Sequence, residues 1–145
     1  MGGKLPSSSS LSWSFKGEIF EWRREVWSVD RAKRIIKERP RPIRQLNIEP
    51  FRELLGAPGM VWFFGIRINW NKAQSDAVNL DDPLLVAYGK DGRFPIDGWH
   101  RIAKALMKGL KTLPYVGLTK EESKQVYRYT GRRRRRRTNG RNKYP

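Results

Sequence analysis

An α+β fold, a small mixed β-sheet with helices packed on it, is what this sequence predicts, and three neighbouring stretches carry that expectation. Residues 84–88 and 93–96 are short apolar runs on either side of Lys90-Asp91-Gly92, and Asp-Gly supplies the positive φ that a tight hairpin turn needs. Trp99, Ile102, Ala103, Leu106 and Leu110 then recur at spacings of 3, 1, 3 and 4, which is one face of a helix. Gly109 and Lys111 are residue types that end helices, and residues 112–118 read as another strand.

The other elements follow in order. Residues 1–17 are rich in Gly, Ser and Pro and are expected to be disordered. Ile19, Phe20, Trp22, Val26 and Trp27 suggest one leading strand. Ser28 has the character of an N-cap, with Asp30 in the first turn and Val29, Ala32, Ile35 and Ile36 on one face of a helix. That helix must end by Arg39, because Pro40 and Pro42 follow. Residues 43–48 read as a short strand and 49–55 as a helix, followed by a turn at Pro58-Gly59. In the β-rich stretch 61–70, Ile66 and Ile68 alternate with Arg67 and Asn69, the pattern of a half-buried strand. Residues 71–81 fit either a short helix around 73–78 or a loop. Thr119-Lys120-Glu121-Glu122 has capping-box spacing and should open a final helix running to about Tyr129, stopped near Gly131. One domain over 18–130, with an Arg-rich disordered tail over 131–145, is the resulting organisation.

Composition removes several function classes. The chain has no cysteine, which excludes disulfides, zinc–thiolate sites and thiol nucleophiles together. A single histidine excludes a multi-His metal centre, and no metal site is expected. No apolar run approaches the length of a membrane span, and residues 1–7 lack the apolar core of a secretory signal, so a cytoplasmic protein without membrane contact is the expectation. Nucleoid association, or a nuclear location in a eukaryote, fits the same features.

The net charge is +17. Nine cations lie from Arg128 onward with no acid among them, six of them consecutive: Arg132, Arg133, Arg134, Arg135, Arg136 and Arg137. Adjacent like charges stay solvated, and each that neutralises a phosphate releases counterions, so this tail is expected to bind DNA or RNA without sequence preference. The alternative is an address or a solubilising segment. Trp13, Trp22, Trp27, Trp62 and Trp70 could stack on bases, but in a domain this small they are expected to fill the core.

Asp97-Gly98-Trp99-His100-Arg101 joins strand to helix and puts an imidazole and a guanidinium in a first turn whose N–H groups have no partner within the helix. Gly98, His100 and Arg101 are therefore the candidate site for a phosphate or carboxylate. Asp97 is placed to cap the helix, or else to hold a metal beside a bound nucleotide. Arg101, Lys104, Lys108 and Lys111 form a basic stripe, expected to be a solvated face or a path that concentrates phosphate at the turn.

The segment Asp97-Gly98-Trp99-His100-Arg101, with the hairpin before it and Gly109-Leu110-Lys111-Thr112-Leu113-Pro114 after it, resembles the ParB/sulfiredoxin superfamily over residues 80–120, and more loosely over 27–79. The resemblance implies a ParB-type N-terminal fold and a nucleotide ligand such as ATP or CTP, with Mg, at the turn. It also implies a departure. Where sulfiredoxins carry their catalytic cysteine this chain has Trp99, so sulfiredoxin activity is excluded. The superfamily's serine kinase has a His at that position, and partition-type members add a helix-turn-helix domain that this chain is too short to hold. A ligand-binding domain is the leading expectation. A phosphotransferase or ParB-like nuclease using Asp97, Asp82 or Asp81, and a non-catalytic basic structural protein, are the alternatives.

Overall fold

Residues 15–55 and 65–131 are described in the computed structural model of this chain. The expected turn at Pro58-Gly59, residues 61–64 with Trp62, Trp13 and the arginines 132–137 lie outside them.

The mixed α+β character is as expected, but the strands divide into two sheets. Strands β1 (Ile19–Trp22) and β2 (Glu25–Ser28) form an antiparallel hairpin, and β7 (Tyr127–Tyr129) pairs with β2 to complete a three-stranded sheet. The second sheet has four strands in the order β3 (Arg44–Asn47), β6 (Thr112–Gly117), β4 (Leu84–Gly89), β5 (Gly92–Asp97). β4 and β5 are the antiparallel hairpin about Lys90-Asp91, with Gly92 at positive φ opening β5, and β4 and β6 run parallel. A parallel pair needs a crossover, here the helix Trp99–Met107 that lies between β5 and β6 in the chain.

Ser28 ends β2 and caps α1 (Val29–Glu38), its Oγ accepting from the Arg31 N–H at 3.1 Å. Val29, Ala32 and Ile35 are the buried residues of that helix, which stops just before Pro40. A 3₁₀ helix covers Glu49–Leu54, and α2 (Trp70–Gln74) is capped by Asn69, whose side chain accepts from the Lys72 N–H. α3 (Trp99–Met107) and α4 (Lys120–Lys124) complete the set, and the capping box predicted for α4 is present in full.

β4 is the central strand and is buried on both faces. Leu84 and Val86 point into one cluster, with Ile48, Trp99, Ile102 and Leu113. Leu85 and Ala87 point into the other, with Trp27, Val29, Ala32 and Val126. Phe94 joins the two: its ring lies between 5.5 and 6.2 Å from those of Phe20, Trp22, Trp27, Phe51 and Trp99. Trp22 and Trp27 thus serve the core, the role expected of the tryptophans.

Five expectations are corrected. The single leading strand is a hairpin, broken at Arg23 and Arg24, which both adopt positive φ (50° and 70°) without the Asn or Gly that normally signals such a turn. Thr130 secures it, donating from N and Oγ1 to the Arg24 carbonyl at 2.8 and 3.0 Å. Ile66 makes an isolated bridge to Leu55 instead of belonging to a strand, and Trp70 starts a helix. The last helix ends at Lys124 and gives way to β7, because Val126 turns into the core and residues 127–129 find an open edge on β2. α3 stops at Met107, so Leu110 is not on its buried face. Gly109 has φ 80°, and N–H groups of Gly109 and Leu110 donate back to the Leu106 and Ala105 carbonyls, which closes the helix as a Schellman motif. Finally, one mixed sheet becomes two.

Candidate functional site

Gly98 is the N-cap of α3 and has φ 106° and ψ 18°, a conformation that L side chains rarely adopt. Space also demands glycine here: a Cβ would stand 2.4 Å from Leu84 Cδ2 and 3.0 Å from Arg101 Nη2. No side chain caps the helix, so the first-turn N–H groups of Trp99, His100 and Arg101 are without partners among the described residues. This corrects the expectation for Asp97. Its carboxylate stands beside the turn instead of over it, 3.4 Å from Arg101 Nη2 and 3.7 Å from Lys33 Nζ.

Trp99 faces the core, as expected. It is 5% exposed, its Nε1 donates to the Pro95 carbonyl at 2.8 Å, and its ring stacks on Phe20 at 6.2 Å. Trp99 is therefore a structural side chain.

Arg101 is a clamp. Nη1 donates to the carbonyls of Asp82 and Pro83, both at 2.9 Å, while Nη2 meets Asp97. Asp82 thus reaches the turn through its backbone. His100 Nε2 accepts from the Asn69 N–H at 3.3 Å, and burial, reinforced by the nearby Lys72 charge, holds the imidazole below its ordinary pKa. Lys104 Nζ donates to the carbonyls of Ser75 and Val78 at 2.9 and 2.8 Å. Two members of the expected basic stripe, Arg101 and Lys104, are thereby spent on backbone carbonyls, and α3 pins the segment from Asn69 to Pro83 along its side. Lys108 and Lys111 remain exposed.

A cleft of about 380 Å³ opens at Asp97. Ile36, Pro83, Leu85 and Val116 give it an apolar lining, and Lys33, Arg41 and Asp97 stand in it as charged groups. Lys33 was not legible as a site residue, because it is one of four basic residues in α1 and only the fold brings it to Asp97. Among the described residues, no cluster of three or more His, Asp or Glu is placed to hold a metal ion. None of their helices is long and apolar enough to cross a membrane.

No protein-family model, curated protein or solved structure matches this chain.

Proposed function

We propose that this chain is a ligand-binding domain of ParB/sulfiredoxin-like type that takes a nucleotide, such as ATP or CTP with Mg, at the turn from Asp97 to Arg101, and that its Arg132–Arg137 run contacts DNA or RNA. The observation that carries the reading is the open first turn of α3. Three N–H groups stand without partners among the described residues on a nine-residue helix, behind a glycine that no other residue can replace without a clash. Such a helix end favours a phosphate by hydrogen bonding and by its dipole. The adjacent cleft supports an organic ligand over free phosphate, since its walls are apolar and Asp97 and Pro83 belong both to it and to the Arg101 clamp.

In this reading His100 contributes its backbone N–H and fixes α2, while Arg101 holds the rim in place. Asp97 is the carboxylate nearest the ligand, and if the domain is instead a phosphotransferase or nuclease it is the residue positioned to act. Calorimetric titration of the full chain with a panel of nucleoside triphosphates and Mg, with chromatography of the mixtures, tests both readings. Saturable binding without product supports the ligand-binding domain, and product formation supports the enzyme. Arg101→Ala should weaken binding roughly ten- to a hundredfold, because its charge-assisted hydrogen bonds hold Asp82, Pro83 and Asp97 in place at the rim. An unchanged affinity removes Arg101 from the site.

A further inference from the structure

A second, larger cavity of about 620 Å³ adjoins that cleft, with Pro40 and Arg41 lining both, and Arg39, Arg41, Arg44, Arg93 and Lys120 bring five cations to it against one carboxylate, Glu122. That carboxylate is already spent. Arg41 grips both of its oxygens, Arg39 Nε lies 3.6 Å from Oε2, and the Thr119 N–H donates to Oε1 at 2.9 Å. Arg41 is spent as well, its remaining donors going to the carbonyls of Arg39 and Gly117. Arg39, Arg41 and Glu122 therefore form a rigid wall that attracts no further cation.

Arg44, Arg93 and Lys120 are left, all exposed and none paired with an acid among the described residues. Arg44 stands opposite Tyr115 across β3 and β6, and Arg93 opposite Tyr88 across β5 and β4. The Arg93 guanidinium lies 5.5 Å from the Tyr115 ring and donates to its hydroxyl at 2.9 Å. The Lys120 ammonium lies 5.6 Å from the Tyr88 ring. Resting on aromatic faces holds Arg93 and Lys120 out from the sheet with hydrogen-bond donors to spare. Three like charges gathered across β3, β5 and α4 repel one another, and an array of anions spread over the same elements relieves that repulsion.

We propose that this face binds the phosphodiester backbone of a nucleic acid. Charge favours a chain of phosphates over one small anion, because five cations meet here and the single carboxylate, Glu122, is already paired. Their guanidinium and ammonium groups meet phosphate without reading bases, so sequence preference should be slight.

The test uses the full chain, with a short DNA duplex and the matching single strand as probes, followed by fluorescence anisotropy across a salt series. Arg44→Ala with Arg93→Ala should make the log–log slope shallower by about 1.8 on duplex, about 0.9 for each phosphate left without its cation. Arg34→Ala with Lys108→Ala removes the same charge from exposed positions on α1 and at the end of α3, and should change the slope by less than half as much. In the unmodified protein, where no substitution can disturb folding, saturating nucleic acid should protect Arg44 and Arg93 from phenylglyoxal while Arg34 still reacts. Protection by duplex, by single strand, or by both supports the proposal and identifies the form bound. Equal slope changes in the two double variants, unprotected Arg44 and Arg93 under saturation, or protection by a nucleoside triphosphate but by neither nucleic acid, would overturn it.

Discussion

Arg41 and Glu122, 81 residues apart in sequence, meet as a two-pronged pair: Nη2 donates to Oε2 at 3.0 Å and Nη1 takes the other oxygen. Their side chains are 16% and 7% exposed, so the pair is largely out of water and ties the segment between α1 and β3 to α4.

The pair predicts how the protein responds to acid. The hydrogen bonds from Arg41, with those from the Thr119 backbone and the charge of Arg39, hold the Glu122 carboxyl down to about 2. A depressed carboxyl adds stability that is complete above the unfolded value of about 4.5 and is lost as pH falls toward 2, on the order of 3 kcal/mol. Urea unfolding at a series of pH values should show that loss in the wild type. Glu122→Gln should be less stable by about 3 kcal/mol at neutral pH and should lose less than the wild type over the same interval, by about that amount. A wild-type stability unchanged between pH 5 and about pH 2 would contradict the linkage.

Two glycines with positive φ should respond differently to alanine. At Gly98 the strained backbone adds to a contact 2.4 Å from Leu84, and Gly98→Ala should cost roughly 2–4 kcal/mol. At Gly109 a Cβ meets nothing within 4 Å, so Gly109→Ala should cost only the backbone strain, about 1 kcal/mol. Equilibrium denaturation of both variants checks the order.

Much of the hairpin, turn and helix around these glycines was legible because local chemistry dictates it. Lys90-Asp91-Gly92 turns the chain, the apolar face of α3 repeats at helical spacing, and Thr119 and Glu122 make the box that starts α4. What stayed illegible depends on distant partners. Nothing in Arg23-Arg24 signals a turn, which rests instead on Thr130 and the pairing of β7. Residues 127–129 continue a helical start in sequence, yet they take the edge of β2. At the site, the motif pointed to Gly98, His100 and Arg101, but it did not reveal that the side chains of His100 and Arg101 face inward to Asn69 and Pro83. Backbone carbonyls have no signature in a sequence, so a cation that serves them looks the same as one that waits for a ligand.

His100 gives a second pH effect. Because its folded pKa lies below the ordinary 6.5, the unfolded chain takes up the proton more readily. The contribution is therefore complete above that value and lost as pH falls through it to the folded pKa. Protonation also removes the acceptor for the Asn69 N–H. NMR titration should place the imidazole midpoint below 6.5, with amides of α2 exchanging faster on the acid side. A midpoint above 6.5 would contradict the burial argument.

The tail prediction concerns affinity and its salt dependence. Replacing Arg132 to Arg137 by glutamine in the full chain should weaken binding to duplex DNA by orders of magnitude at moderate salt. The log–log slope should shrink by about 0.9 for each phosphate that the tail no longer neutralises. Unchanged affinity and slope would leave the tail as an address or a solubiliser.

Amide hydrogen exchange at the open turn tests the central claim most directly. In the free protein the N–H groups of Trp99, His100 and Arg101 lack partners among the described residues, and they should exchange quickly for a helix. With ATP or CTP and Mg at saturation, those amides should slow together, and the amides of Ile102 and Ala103 should change little because the helix already holds them. Binding that leaves residues 99–101 exchanging at the free rate, or no binding by any nucleoside triphosphate or pyrophosphate, would contradict a phosphate site at this turn.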